Sequence, residues 1–103
     1  MVSGVEYESS LIVYSNIALM WKAREISDVS SESLSALHLV RPKPELVLLG
    51  TGAANMTPPN GLREHLRELG CTLDVSDSFS AASTFNLLQE EGRRVAAALL
   101  PLQ

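Results

Sequence analysis

Apolar residues along this chain follow two rhythms. Near the N-terminus they come in short β-prone runs: "SGVEY" beside a turn at Gly4, "SSLIVYS", and "NIALMW" after a Ser15-Asn16 break. Together these predict a three-strand meander. Over "ISDVSSESLSALHLVRPKP" the spacing changes to three and four, with Leu34, Leu37 and His38 on one face. Ser30 or Ser31 caps this helix, Glu32 suits its first turn, and Pro42 and Pro44 end it near Val40. "ELVLLG" is a continuous apolar run too short for a helix, so it reads as a buried strand. "AANMTPPNGLREHLRELG" reads as loop and then helix, with Thr57 as cap, prolines in the opening positions and Gly70 as the stop. Leu62, Leu66 and Leu69 give that helix its apolar face. "CTLDVS" alternates, placing Cys71, Leu73 and Val75 on one side of a strand.

The stretch "DSFSAASTFNLLQEEGRRVAAALLP" closes the pattern. Asp77, Ser78 and Ser80 favour a helix start, Ala81, Phe85 and Leu88 form a stripe, and Gly92 ends the helix. The alanines that follow favour helix, but Gly92 and Pro101 leave room for barely two turns. Val95–Leu100 is therefore predicted to be a strand buried on both faces. The order βββ, then αβαβαβ, predicts an α/β domain with a largely parallel sheet covered on both sides.

Composition narrows the function classes. At 103 residues, 46% hydrophobic and 19% charged, the chain is one ordinary globular domain. Its net charge is −4, and Lys22, Arg24, Arg41, Lys43, Arg63, Arg67, Arg93 and Arg94 are scattered. A nucleic-acid partner requires clustered cations, so none is expected. Cys71 is the one cysteine, which excludes an internal disulfide and a cysteine-cluster metal site and fits a reducing compartment. No apolar run reaches the roughly 18 residues that suggest a membrane span. The "MVSGVEYESS" start has neither the basic and apolar segments of a secretory signal nor the arginines of a mitochondrial presequence.

Two groups of residues are candidates for chemistry. Gly50-Thr51-Gly52 follows the most apolar strand, at the edge where open α/β sheets bind ligands. The G-x-G-x-x-G and G-K-[ST] patterns both fail there, so a tight strand-to-loop turn competes with a small-ligand site. The second group is Asp77, Thr84, Asn86, Glu90, Glu91 and Arg93. These read either as a cap, a helix-internal hydrogen bond and a solvated face, or as a polar cluster joining the last helix to the Gly50–Gly52 loop. His38 and His65 lie on separate helices with no third ligand near them, so no metal is expected. Cys71 reads as a core residue, while Met20 and Trp21 suit core or interface. No spacing supports a Ser-His-Asp set or a catalytic carboxylate pair, so no catalytic residue and no cofactor is assigned.

"PELVLLGTG" followed by "DSFSAASTFNLLQEEGRRVAAALLP" resembles the signature of the Mth-like domain family, whose members include the mitochondrial complex I assembly factor 3 family. The match falls on Pro44, Gly50, Thr51, Gly52, Asp77, Ala81, Thr84, Phe85, Asn86, Leu88, Glu91, Gly92, Arg93 and Val95, with Ser78 where Thr is common. It extends back through "YESSLIVYSN", "LMWKA" and "ESLSALHLVRP". The resemblance implies a three-layer α/β/α fold over residues 1–103, with a mixed sheet whose last strand runs antiparallel to the others. It also implies that relatives carry more chain before "MVSGV". It gives Gly50, Thr51, Gly52, Asp77, Thr84, Asn86, Glu91 and Arg93 as a motif cluster and no established reaction. The function it implies is non-enzymatic assembly of respiratory complex I, with other assembly factors or subunits as partners. The expected location is the matrix side of the inner membrane, peripherally bound. A small-molecule-binding protein or enzyme using the Gly50–Gly52 loop, and a cytosolic interaction protein of the same fold, are the alternatives.

Overall fold

The computed structural model describes residues 10–14, 17–21, 26–29, 43–54 and 56–101. Among these, five strands form one sheet: β1 (Ser10–Tyr14), β2 (Ile17–Trp21), β3 (Leu46–Gly50), β4 (Thr72–Ser76) and β5 (Val95–Leu99). Their spatial order is β2-β1-β5-β3-β4. Helix α1 (Leu62–Glu68) joins β3 to β4, and α2 (Ser78–Glu90) joins β4 to β5. The "SGVEY" strand and the helix expected over residues 30–40 lie outside the described residues.

The connections explain the layers. β3-α1-β4 steps one place outward, and β4-α2-β5 steps back across β3. Right-handed crossovers running in opposite directions place their helices on opposite faces. The two apolar clusters follow this division. Leu62 and Leu66 of α1 pack with Tyr14, Trp21, Val47, Leu49, Leu73, Ala96 and Ala98. Ala81, Ala82 and Phe85 of α2 pack with Val13, Leu48, Val95, Ala97 and Leu99. The fold is therefore three-layer α/β/α, and Trp21 is a core residue.

β5 lies at the centre of the sheet, and all five of its side chains are buried. Its alternate residues belong to different clusters, so the run "VAAAL" serves both faces. Ala96, Ala97 and Ala98 have no solvent exposure. Their small side chains leave room for the larger Phe85, Leu48 and Leu49 around them, which is how close packing is reached on both sides of one strand.

One expectation about direction is corrected. β5 is antiparallel to β1, with Leu11 opposite Leu99, but it is parallel to β3, with Leu46 beside Val95. β1 is the strand that runs against the rest, because β2 pairs antiparallel to it and β3 pairs parallel to β4. The physical reason lies in the connection. A helix as long as α2 carries the chain back to the edge where β3 begins, and such a crossover produces a parallel neighbour.

The helix ends follow local chemistry. After α2 the Gly92 N–H donates to the Gln89 carbonyl at 3.0 Å and the Arg93 N–H to the Leu88 carbonyl at 3.0 Å. This closure needs a left-handed residue, and Gly92 supplies it at φ 80°. The chain is thereby turned out of the helix before Val95. α1 closes the same way, with Gly70 to Arg67 and Cys71 to Leu66.

Its start differs from expectation, for α1 begins at Leu62, behind Gly61, and Thr57 does not cap it. Thr57 precedes Pro58, and Pro58 precedes Pro59, so both are driven away from helical geometry. The helix forms after the Asn60-Gly61 turn, where the His65 N–H reaches the Gly61 carbonyl at 2.9 Å.

The two phenylalanines of α2 give a test of this packing. Phe85 is fully buried and Phe79 is 69% exposed. Phe85→Ala is expected to cost about 3–5 kcal/mol, and Phe79→Ala no more than about 0.5. Urea unfolding of both variants checks the difference.

Candidate functional site

Three parallel strands end together at one edge of the sheet, and the sequence candidates Gly50, Thr51, Gly52 and Asp77 lie there. Register pairs Gly50 with Ser76 and with Leu99, so the residues that follow each strand are neighbours. The backbone ties them further: the Thr51 N–H donates to the Ser76 carbonyl at 2.9 Å and the Leu100 N–H to the Gly50 carbonyl at 2.9 Å.

Ser78, the first residue of α2, is the junction of this edge. Its N–H donates to the Gly52 carbonyl at 2.8 Å. Its hydroxyl accepts from the Gly52 N–H at 2.9 Å and donates to the Leu100 carbonyl at 2.7 Å. The side chain is wholly buried. To reach these partners, α2 comes so close to β3 that a Cβ on Gly50 would stand 2.7 Å from the Ser78 Cα. Any side chain at position 50 therefore collides with backbone.

Thr51 is also engaged from within the fold. Its hydroxyl donates to the Ala54 carbonyl at 2.7 Å, approaches the Ser76 carbonyl at 3.2 Å, and accepts from the Met56 N–H at 3.1 Å. Thr51 is 5% exposed. The hydroxyl that sequence reasoning offered to a ligand is thus committed to shaping the loop. Asp77 caps α2: its carboxylate accepts from the Ser80 N–H at 2.8 Å and from the Ser80 hydroxyl at 2.9 Å. Those two bonds, the backbone one foremost, hold its carboxyl below the ordinary 3.8.

The remaining candidates lie elsewhere. Thr84 and Asn86 are half-buried on α2, and two residues' separation sets them about 160° apart around the axis. Glu91 and Arg93 stand at the far end of the helix, about 20 Å away along its axis. There Arg93 Nε donates to Glu45 Oε1 at 2.6 Å, with Arg94 3.9 Å from the same carboxylate. Arg93, by its hydrogen bond, lowers the Glu45 carboxyl below its ordinary 4.5. This pair joins the entries of β3 and β5, where the Glu45 N–H also donates to the Arg94 carbonyl at 2.8 Å. The expected cluster is therefore divided between opposite edges of the sheet.

Cys71 is buried and donates to the Pro44 carbonyl at 3.2 Å, and burial raises its thiol pKa, which suits a core residue. His65 lies on α1, and His38 lies outside the described residues. Among the described residues no three His, Cys, Asp or Glu side chains converge to hold a metal. Ser78 is the residue that sequence reasoning undervalued. Its signal is the Asp-Ser pair after an alternating strand, at a position where the resembled family commonly carries Thr.

Over residues 1–100 the chain matches the family described as a protein of unknown function (DUF498/DUF598). The chain belongs to this family. Among its relatives, NADH dehydrogenase [ubiquinone] 1 alpha subcomplex assembly factor 3 of Danio rerio is 41% identical over 83 residues, 81% of this chain and 48% of that protein. The Xenopus tropicalis protein of the same name is 34% identical over 104 residues, covering 100% of this chain and 56% of that one. The chain thus spans about half the length of these relatives. A crystal structure of a Bordetella parapertussis protein superimposes with a TM-score of 0.85 at 26% identity, covering 98% of this chain and 94% of that one. An NMR structure from Bordetella pertussis, described as a Mth938-like domain, gives 0.77 at 25% identity, covering 91% and 74%. The chain is thus similar in sequence to vertebrate proteins and in fold to Bordetella proteins.

Two measurements probe this edge. Ser78→Ala strips the Gly52 N–H and the Leu100 carbonyl of their partner, and each orphaned group is expected to cost about 1–3 kcal/mol. Ser80→Ala, on the exposed side of the cap, should cost no more than about 0.5. Chemical denaturation separates them.

The second concerns acid. Glu45 and Asp77 both have lowered values in the fold, so their contribution is present above 4.5 and 3.8 respectively and is lost as pH falls through the lower folded values. Glu45→Gln and Asp77→Asn should each flatten the acid limb of stability measured from pH 7 to pH 3. Asn at position 77 still caps the helix.

Proposed function

We propose that this protein is a non-enzymatic assembly factor that binds other proteins during biogenesis of mitochondrial respiratory complex I. Its DUF498/DUF598 membership, with relatives named as complex I assembly factor 3, carries the reading. The chemistry of the sheet's carboxyl edge supports it. That edge is where an open α/β sheet usually presents ligand-binding groups. Here the Thr51 and Ser78 hydroxyls are bonded to the chain's own backbone. Groups committed in this way hold the loop and the helix start in place.

The partners proposed are other complex I assembly factors or subunits, met at the matrix side of the inner membrane. Association there is peripheral in this reading. Among the described residues no helix is long and apolar enough to cross a membrane.

Thr51→Val tests the reading. It keeps the side-chain shape, removes the bonds to Ala54 and Met56, and is expected to cost about 1–3 kcal/mol of stability. Expressed in cells lacking the protein, the variant should be less abundant but restore complex I in proportion to its abundance. A Thr51→Val protein present at wild-type level that leaves complex I unassembled would mean that the hydroxyl contacts a ligand or substrate, and would overturn the scaffold reading.

A further inference from the structure

The outer face of α2 carries two large apolar side chains that stand mostly in solvent. Phe79 is 69% exposed and Leu87 is 57% exposed. They are eight residues apart, about 12 Å along the axis, and within about 80° of each other around it. Ser83 lies between them, exposed and small, and Ser80 and Glu90 complete the same face. The opposite face of the helix, Ala81 and Phe85, is fully buried. A single exposed apolar residue is ordinary on a protein surface. An aromatic and a leucine in line, two turns apart across a small residue, form the shallow apolar track into which a second helix packs.

Charge decides what lies on this track. From Asp77 to Gly92 the sequence holds three carboxylates, Asp77, Glu90 and Glu91, and no Lys or Arg. The arginines just beyond do not reverse this sign, because Arg93 is bonded to Glu45 at 2.6 Å and Arg94 lies 3.9 Å from it. An acidic rim repels anionic lipid headgroups, which disfavours a membrane surface. A second copy of α2 lying antiparallel would set Glu90 and Glu91 against the Asp77 of its partner, like charge on like. Cationic side chains at both ends of the track are complementary to it.

We infer that the outer face of α2, centred on Phe79 and Leu87, is the docking surface for a basic amphipathic helix of a partner protein. This rests on the scaffold reading above and specifies the chemistry of what the scaffold binds. The partner helix places apolar residues about two turns apart over Phe79, Ser83 and Leu87. Its Lys or Arg residues lie near Asp77 at one end and near Glu90 and Glu91 at the other.

The test uses the full chain and two synthetic 20-residue helical peptides. Both carry leucines at i, i+3, i+4 and i+7; one has Lys at its polar positions and the other Glu. By fluorescence anisotropy the Lys peptide should bind and the Glu peptide should bind at least tenfold more weakly. Phe79→Ser with Leu87→Ser should weaken the Lys peptide at least tenfold, as should Glu90→Lys with Glu91→Lys. Both variants alter exposed positions, and circular dichroism verifies that they are folded.

Absent binding of the Lys peptide, equal binding of both peptides, or unchanged binding to the Phe79/Leu87 variant would overturn the inference. So would self-association, or adsorption to phosphatidylglycerol vesicles, that disappears in the same variant. Complementation separates this inference from the reading beneath it. If wild type fails to restore complex I in cells lacking the protein, the assembly role falls. If wild type and a normally abundant Phe79→Ser/Leu87→Ser protein restore it equally, the docking surface falls and the assembly role stands.

Discussion

Ser78 and Gly50 meet with no room for a side chain between them, and the arrangement of this domain depends on that contact. One buried hydroxyl and one backbone N–H bind the start of α2 to the loop after β3 and to the residue after β5. A helix start and the loop that follows a strand both leave backbone groups without regular partners. Bringing them together lets each satisfy the other, and the cost is a glycine at position 50. At this carboxyl edge the Thr51 and Ser78 hydroxyls are taken up by the fold's own hydrogen bonds.

The same economy accounts for six of the residues that carry the family resemblance. Gly50 admits the helix, Thr51 shapes the loop, Gly52 meets Ser78, and Asp77 caps α2. Gly92 turns the chain out of the helix, and Arg93 holds Glu45 at the opposite edge. These six positions of the family signature are a set of instructions for joining one helix to three strands. The outer face of α2, with Phe79 and Leu87 exposed, is a surface that the fold does not consume. Among the described residues α2 is the one helix packed on this face, with β3 and β5 beneath it.

Much of the fold was legible in the chain. The apolar run at Leu46–Gly50, the alternation at Thr72–Ser76 and the stripe Ala81–Phe85–Leu88 each fix an element and its buried face, because burial obeys the periods of strand and helix. Gly92 ahead of "VAAAL" and Pro101 behind it leave too little room for a helix, which separates strand from helix. The start of α1 is less legible, because a capping residue and two prolines resemble a helix opening while each proline keeps its predecessor out of helical geometry.

The candidate site was less legible, for a reason that lies in distance along the chain. Periodicity places a residue on a face but does not state which strand ends adjoin it. Ser78 reads as an ordinary residue after a cap until Gly52 and Leu100, 26 and 22 positions away, are brought to its hydroxyl. Thr84, Asn86 and Arg93 read as one cluster with Thr51 until the helix is laid across the sheet and its two ends reach opposite edges. By itself the sequence determined the described strands and helices, their buried faces and the family, since these depend on local spacing and on residue identity. Tertiary structure alone decided the direction of β1 against the other strands, the closing of the carboxyl edge, and the exposure of Phe79 and Leu87. Each of those depends on which segments become neighbours, and hydrogen bonding and packing between distant segments settle that only when the whole chain folds.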